Sequence, residues 1–142
     1  MKVIPENISW WRIDYSDADI EKVTEAIRNE YISMGKVTEE FEQRMAEALG
    51  IPYVVATTSG SVALLITLMA LGIKAGDEVI VPNRTWIATA HAPMMLGAKP
   101  VLVDVLQERP VMDTTKIREK INSRTRAIIP VSLCGCAVNM EE

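Results

Sequence analysis

Apolar positions in the first third of the chain recur at helical spacing. Ser16 suits the N-cap of a first helix and is followed by acidic residues in the first turn. The apolar face of that predicted helix contains Ile20, Val23, Ile27 and Tyr31. A second helix is predicted after Thr38 and ends at Gly50, with Phe41, Met45, Ala48 and Leu49 on its apolar face. Residues 1–51 are therefore predicted to form a helical segment.

After Pro52 the pattern changes to short apolar segments that alternate with helical ones. Strands are predicted at "YVVATT" (53–58), "DEVIVP" (77–82), "KPVLVDV" (99–105) and "RAIIPVSL" (126–133). Helices are predicted from Ser61 to Leu71, over 85–97 with an interruption at Pro93, and from Thr114 to Ile121 behind an Asp113 cap. Continuously apolar strands alternating with helices predict a parallel sheet covered on both faces. Residues 52–133 should thus form a β-α-β-α-β-α-β unit with right-handed crossovers, in a three-layer α/β/α fold.

Composition excludes several classes of protein. Hydrophobic residues make up 49% of the sequence and charged residues 24%, which is typical of a globular chain, and the net charge of −4 argues against a nucleic-acid partner. The longest apolar run, Val62 to Leu71, is too short to span a membrane, and no apolar segment of a signal peptide follows Lys2. Cys134 and Cys136 are too close for an easy disulfide and too few for a zinc site. We expect a cytoplasmic protein with no metal site and no membrane partner.

The segment "TTSGS" (57–61) is the first candidate for chemistry, because it follows a predicted strand and opens a predicted helix. Helix N-termini at the carboxyl ends of parallel strands are common ligand sites. The N–H groups of Gly60, Ser61 and Val62, together with the hydroxyls of Ser59 and Ser61, could hold a phosphate. A simple helix cap, worth about 1 kcal/mol, explains the same residues. The segment matches neither a Walker A loop nor the G-x-G-x-x-G pattern, so a Rossmann dinucleotide site is not supported.

Three further residues lie near the same predicted edge of the sheet. Trp86 follows the next strand, and its indole could stack on a planar aromatic ligand or could equally belong to the core. His91 lies inside the following helix, where packing or surface exposure is a simpler explanation than catalysis. Asp104 caps a loop or contacts a ligand, and the sequence leaves both interpretations open.

The region "SGSVALLITLMALGIKAGDEVIVPNRTWIATAHAPMMLGAKPVLVDV" resembles the signature of the pyridoxal-phosphate sugar aminotransferases of the DegT or StrS type. That signature runs S-G-[ST]-x-A-L, A-L-G-I-x-x-G-D-E-V-I-V-P, T-[FWY]-x-A-[ST] and G-A-x-P-V-x-V-D, and the resemblance covers roughly residues 30–138. It implies that residues 52–142 are an incomplete large domain of fold type I. The full-length protein is expected to bind pyridoxal 5′-phosphate (PLP), and whether the 142 residues alone hold it stays open. By this resemblance Gly60 and Ser61, with Ser59 beside them, hold the cofactor phosphate, and Trp86 stacks on the pyridine ring.

The resemblance also implies an activity and a partner. Family members form homodimers and transfer an amino group, usually from glutamate, to keto sugars linked to a nucleotide. The products serve cell-surface polysaccharides or natural products. The Schiff-base lysine and the acid that contacts the pyridinium nitrogen are expected beyond residue 142, so no catalytic residue is assigned here. No lysine of this chain stands in the matching context: Lys2, Lys22, Lys36, Lys74, Lys99, Lys116 and Lys120.

The sequence departs from the family at "SLCG", where Ser132 and Cys134 replace a histidine and a tyrosine, and at Cys136, which stands where a glutamine is usual. Two alternatives stay open. One is a related sugar dehydratase, in which histidine replaces the Schiff-base lysine. The other is a truncated, catalytically incompetent fragment that would expose apolar faces and self-associate. In either case the 142 residues alone are expected to be inactive.

Overall fold

A computed structural model describes residues 12–141. Its helices are α1 (Asp17–Arg28), α2 (Lys36–Leu49), α3 (Gly60–Ala70) and α4 (Ala88–Met95), and its strands are β1 (Glu78–Pro82), β2 (Lys99–Val103) and β3 (Thr125–Ile128). The chain divides into two compact units, Met1–Ala56 and Thr57–Glu142. The division after residue 51 that we drew from the sequence stays a prediction.

The first unit contains the two predicted helices. Ser16 precedes α1 as expected, and both its backbone N–H (2.8 Å) and its hydroxyl (2.7 Å) donate to the Asp19 carboxylate. α2 begins at Lys36, earlier than predicted, and ends at Gly50, which adopts the left-handed conformation with φ of 64°. The Ala56 backbone N–H donates to Glu42 Oε1 at 2.7 Å, which ties the end of this unit to α2.

The second unit is built on a parallel sheet with the strand order β2-β1-β3. β1 pairs with β2 in continuous register from Glu78↔Lys99 to Pro82↔Val103. Its pairing with β3 shifts by one residue, because Glu78 lies opposite Thr125 and Val79 opposite Ala127. All five residues of β1 are buried, as a central strand covered on both faces requires.

Each face of the sheet has its own apolar cluster. On one face, Val79 and Val81 pack with Leu68 of α3 and Ala92 of α4. On the other, Ile80 and Val103 pack with Met112, with Ile117 at the margin. Burying one such aliphatic side chain stabilises the fold by about 1.5–3 kcal/mol. The predicted α/β class, a parallel sheet flanked by helices, is therefore confirmed.

Two predicted elements are wrong in detail. No strand forms at residues 53–58, because none of the strands in the described part of the chain pairs with this segment. In place of the helix from Thr114 to Ile121 there are two short 3₁₀ helices, Thr114–Lys116 and Arg118–Lys120. A segment this short is a marginal α-helix, and the Asp113 carboxylate holds both the backbone N–H (3.1 Å) and the hydroxyl (2.6 Å) of Thr115 in a tight turn.

The two helices beside β1 also differ from expectation. α4 spans only Ala88–Met95 rather than 85–97, and it contains Pro93, which lacks the N–H that a longer helix would use. α3 is apolar on nearly all sides, yet Leu68 is its only buried residue. Ile66 (45%), Met69 (57%) and Leu71 (64%) are exposed, because a three-stranded sheet covers one side of this helix only.

Candidate functional site

The turn at residues 57–61 is a capped helix start. Ser59 is extended (φ −166°), and its hydroxyl oxygen accepts from the Val62 backbone N–H at 3.2 Å. The Ser59 carbonyl accepts from the Ala63 N–H and, at 3.0 Å, from the Thr57 hydroxyl. The N–H groups of Gly60 and Ser61 donate to no other described residue. The cap is therefore real, and it leaves two donors at the positive end of α3 available to a ligand.

Gly60 is not explained by packing or by backbone conformation. A Cβ atom added there would meet no atom within 4 Å, and its φ lies outside the left-handed region. The absent side chain therefore keeps the space in front of the first turn of α3 clear.

The open space beside this turn is a cleft of about 550 Å³ between α3 and α4. Its lining residues are Gly60, Ser61, Ala63, Leu64, Thr67, Trp86, Ala88 and Thr89. This volume falls within the usual range for small-molecule sites, roughly 300–1,000 Å³. Trp86 is 76% exposed, so the alternative of an ordinary core tryptophan does not hold in this structure. Three of the four candidate residues, Gly60, Ser61 and Trp86, thus line one cleft, while the Ser59 hydroxyl is used by the cap.

Thr89 was missed by the sequence reasoning, although it helps to order the Trp86 loop. This loop, residues 83–87, joins β1 to α4. The hydroxyls of Thr85 and Thr89 are 2.9 Å apart and hydrogen-bonded, and the Thr89 N–H donates to the Trp86 carbonyl at 3.1 Å. The i, i+4 spacing of two threonines at a helix start was the signal available in the sequence.

Asp104, which the sequence left open, is hydrogen-bonded within the protein. One carboxylate oxygen accepts from Asn83 Nδ2 at 2.7 Å, and the other accepts from Lys116 Nζ at 3.1 Å. The hydrogen bond with Asp104 is the main cause that raises the pKa of Lys116 above its ordinary value. Lys116 also lies 3.7 Å from Asp113, whose pKa is lowered mainly by the hydrogen bond from the Thr115 hydroxyl.

The remaining candidates lie outside the cleft. His91 is exposed on α4, and Cys134 and Cys136 are free thiols, with Cys134 in the left-handed conformation at φ of 54°. Within residues 12–141, no group of three or more histidine, cysteine or acidic side chains is arranged to hold a metal ion. No helix in that range is both long and apolar enough to cross a membrane.

The fold is that of part of an α/β domain of an aminotransferase. Residues 14–142 match the DegT/DnrJ/EryC1/StrS aminotransferase family, and the chain belongs to that family.

Similar solved structures belong to aminotransferases as well. A Streptococcus pneumoniae protein assigned as a sugar aminotransferase, solved in apo, PLP and PMP (pyridoxamine 5′-phosphate) forms, is 33% identical over 95% of this chain with a TM-score of 0.89. NtdA from Bacillus subtilis, solved with bound PMP, is 36% identical over 86% of the chain with a TM-score of 0.82. DesV of S. venezuelae is 36% identical over 86%, with a TM-score of 0.79. The chain spans only 34%, 28% and 34% of these structures, about a third of their length.

Proposed function

We propose that this chain supplies the phosphate and ring contacts for PLP in an aminotransferase that acts on a nucleotide-linked keto sugar, with an amino acid such as glutamate as donor. One observation carries the proposal: the two available N–H groups of Gly60 and Ser61 line the same cleft as the exposed indole of Trp86. Membership of the aminotransferase family and the PLP and PMP forms of similar structures support it.

The start of α3 fits a phosphate group. An N-terminal helix end carries about half a positive elementary charge, and unpaired N–H groups there bind anions directly. Gly60 and Ser61 each contribute an N–H, and the exposed Ser61 can add its hydroxyl. Ser59 would act indirectly, because its hydroxyl oxygen accepts from the Val62 N–H and so fixes the first turn of α3. The phosphate would thus be held mainly by the backbone.

Trp86 fits the ring of the same ligand. Stacking of an indole on a planar heterocycle contributes about 0.5–1.5 kcal/mol beyond the buried area. The face of Trp86 that stacks would also exclude water from one side of the ring. PLP, when bound, supplies the electron sink that amino transfer requires. We assign no catalytic residue in this chain, because no lysine within residues 12–141 lines the cleft.

We further propose that a second copy of the protein covers part of this surface. Large apolar side chains of α3 and α4 are exposed, among them Met69 (57%), Met94 (56%) and Met95 (72%). Several large exposed apolar side chains on neighbouring helices are consistent with an interaction surface. A homodimer is the simplest closed assembly that would bury them.

The test uses the natural polypeptide that contains this sequence. After incubation with PLP and removal of the excess, the protein should retain a visible cofactor band, which borohydride reduction removes. Addition of glutamate should shift the band to that of the PMP form. Trp86→Leu should lower the retained cofactor, and His91→Ala, an exposed control on α4, should not. A correctly folded protein that retains no cofactor would refute the proposal.

A further inference from the structure

The exposed indole of Trp86 needs support from its own loop. Its side chain is 76% exposed, so packing around the indole does little to fix its position. A stacking residue must be oriented before the ligand arrives, because ordering it on binding reduces the affinity. The loop at residues 83–87 is therefore where the orientation of Trp86 is set.

The far end of this loop is held by the hydroxyl pair Thr85 and Thr89. The near end is held at Asn83 in two ways. Its backbone N–H donates to the Val103 carbonyl at 2.8 Å, and its side-chain amide donates to Asp104 at 2.7 Å. Pro82 and Val103 are the last residues of β1 and β2 and are paired in the sheet. Asn83 and Asp104 therefore follow directly at the same edge of the sheet, on neighbouring strands.

Asp104 is itself fixed from a third segment. Its second carboxylate oxygen accepts from Lys116 Nζ at 3.1 Å, and its backbone carbonyl accepts from the Asp113 N–H at 2.9 Å. An ionised acceptor strengthens the hydrogen bond from Asn83. The contacts thus run from the 3₁₀ segment through Asp104 and Asn83 to the start of the Trp86 loop.

We propose that Asp104 is a positioning residue: through its hydrogen bond with Asn83 it holds the loop that presents Trp86 to the cofactor ring. This inference rests on the proposed function for the ring contact, but the hydrogen bond should order the loop whether or not a ligand is bound. Asp104 touches no ligand in this account.

The loop is tested without any ligand. In the cofactor-free natural polypeptide that contains this sequence, with Trp10, Trp11 and any tryptophan outside residues 1–142 replaced by Phe, Trp86 is the only indole, and its fluorescence anisotropy and acrylamide quenching report its mobility. Asp104→Ala and Asn83→Ala should each lower the anisotropy and increase quenching, and the double variant should add nothing further. Asp104→Asn keeps an oxygen that can accept from Asn83, so it should restore most of the anisotropy. Arg84→Ala, exposed in the same loop, is the control.

Ligand binding is the second readout. Asp104→Ala should weaken PLP binding by about threefold to tenfold, as expected for the loss of one hydrogen bond, while binding of inorganic phosphate stays unchanged. Unchanged anisotropy in both single variants, or additive effects in the double variant, would overturn the role of Asp104. If the anisotropy changes as expected but the parent polypeptide binds no PLP, the proposed function is refuted and the role of Asp104 in the loop stands. If Asp104→Ala unfolds, Asn83→Ala and Asp104→Asn decide the question.

Discussion

Ser59 and Ser61 stand two residues apart at the start of α3, yet the structure gives them different roles. The Ser59 hydroxyl accepts from the Val62 N–H at 3.2 Å, whereas Ser61 is exposed and lines the cleft. The Ser59 hydroxyl therefore stabilises the helix, while Ser61 lines the cleft in which we propose that a phosphate binds.

This difference predicts opposite results for two similar substitutions. Ser59→Ala should lower the free energy of unfolding by about 0.5–2 kcal/mol, because it removes an N-cap. Ser61→Ala should leave stability nearly unchanged but weaken phosphate binding. Chemical denaturation and a phosphate titration measure the two effects. Equal loss of stability in both variants would show that the two hydroxyls do not differ in this way.

Glu78 is a buried acidic residue at the start of β1. It is only 4% exposed, and its carboxylate accepts from Asn122 Nδ2 at 2.7 Å and from Arg124 at 2.8 and 3.0 Å. These bonds, that of Asn122 first, lower the pKa of Glu78 below its ordinary value of 4.5. A lowered pKa in the folded state means that the ionised group stabilises the fold above the unfolded value, and that this stabilisation is lost as the pH falls.

The pH dependence of unfolding should therefore change in Glu78→Gln. At neutral pH the variant should melt below the parent chain, because a buried charge-assisted network is lost. As the pH falls below 4.5, the two melting temperatures should converge, because protonation removes the same charge from the parent. Thermal unfolding followed by circular dichroism across this range measures the effect. A constant difference at all pH values would contradict the assigned role.

Several site residues could be found from the sequence, and others could not. Ser59, Gly60, Ser61 and Trp86 stand next to elements whose ends are visible in the pattern of apolar residues. The partnership of Asp104 with Asn83 and Lys116 depends on strand order and on a segment 12 residues further along the chain. Such contacts follow from tertiary structure, so local pattern alone left Asp104 unassigned.

At the level of elements, hydrophobic periodicity predicted the three strands that pair in the sheet, β1, β2 and β3, and the four helices α1 to α4. β1 matches its predicted span within one residue, because its five residues are all buried. The predicted strand at 53–58 does not form, because no described strand pairs with this segment. Pattern thus indicates which segments favour a strand, while pairing decides which ones form.

Two glycines at helix ends give a further test at this level. Gly50 ends α2 with φ of 64°, a conformation that disfavours any side chain, whereas Gly60 is outside that region and has open space around it. Gly50→Ala should lower the free energy of unfolding by about 1–2 kcal/mol. Gly60→Ala should not lower it, because an alanine fits the backbone and reduces the entropy of the unfolded chain. Denaturant unfolding of both variants measures this difference, and equal losses would contradict it.

For the whole molecule, exposed apolar surface is the dominant feature of the second unit. Side chains of α3 and α4 that a larger sheet or a partner would cover are open, including Met69 and Met95. The chain spans about a third of the structures it matches.

The 142-residue chain should therefore self-associate. Sedimentation at increasing concentration should show species larger than a monomer. Met69→Lys with Met95→Lys should shift the population toward monomer, because a buried charge opposes apolar association. The matched control is Asn29→Lys with Gln43→Lys, which adds the same two charges at exposed positions that are not apolar. A parent chain that is monomeric at every concentration would contradict this expectation.

The α3 N-terminus and Trp86 are proposed to hold PLP together. The most direct measurement is a titration of PLP into the natural polypeptide that contains this sequence, with Trp10, Trp11 and any tryptophan outside residues 1–142 replaced by Phe, so that Trp86 alone contributes indole fluorescence. The quenching should be saturable, and inorganic phosphate should compete it away. Ser61→Ala should weaken it, and pyridoxal without its phosphate should reproduce it poorly. Quenching that does not saturate, or that pyridoxal produces equally well, would contradict the claim.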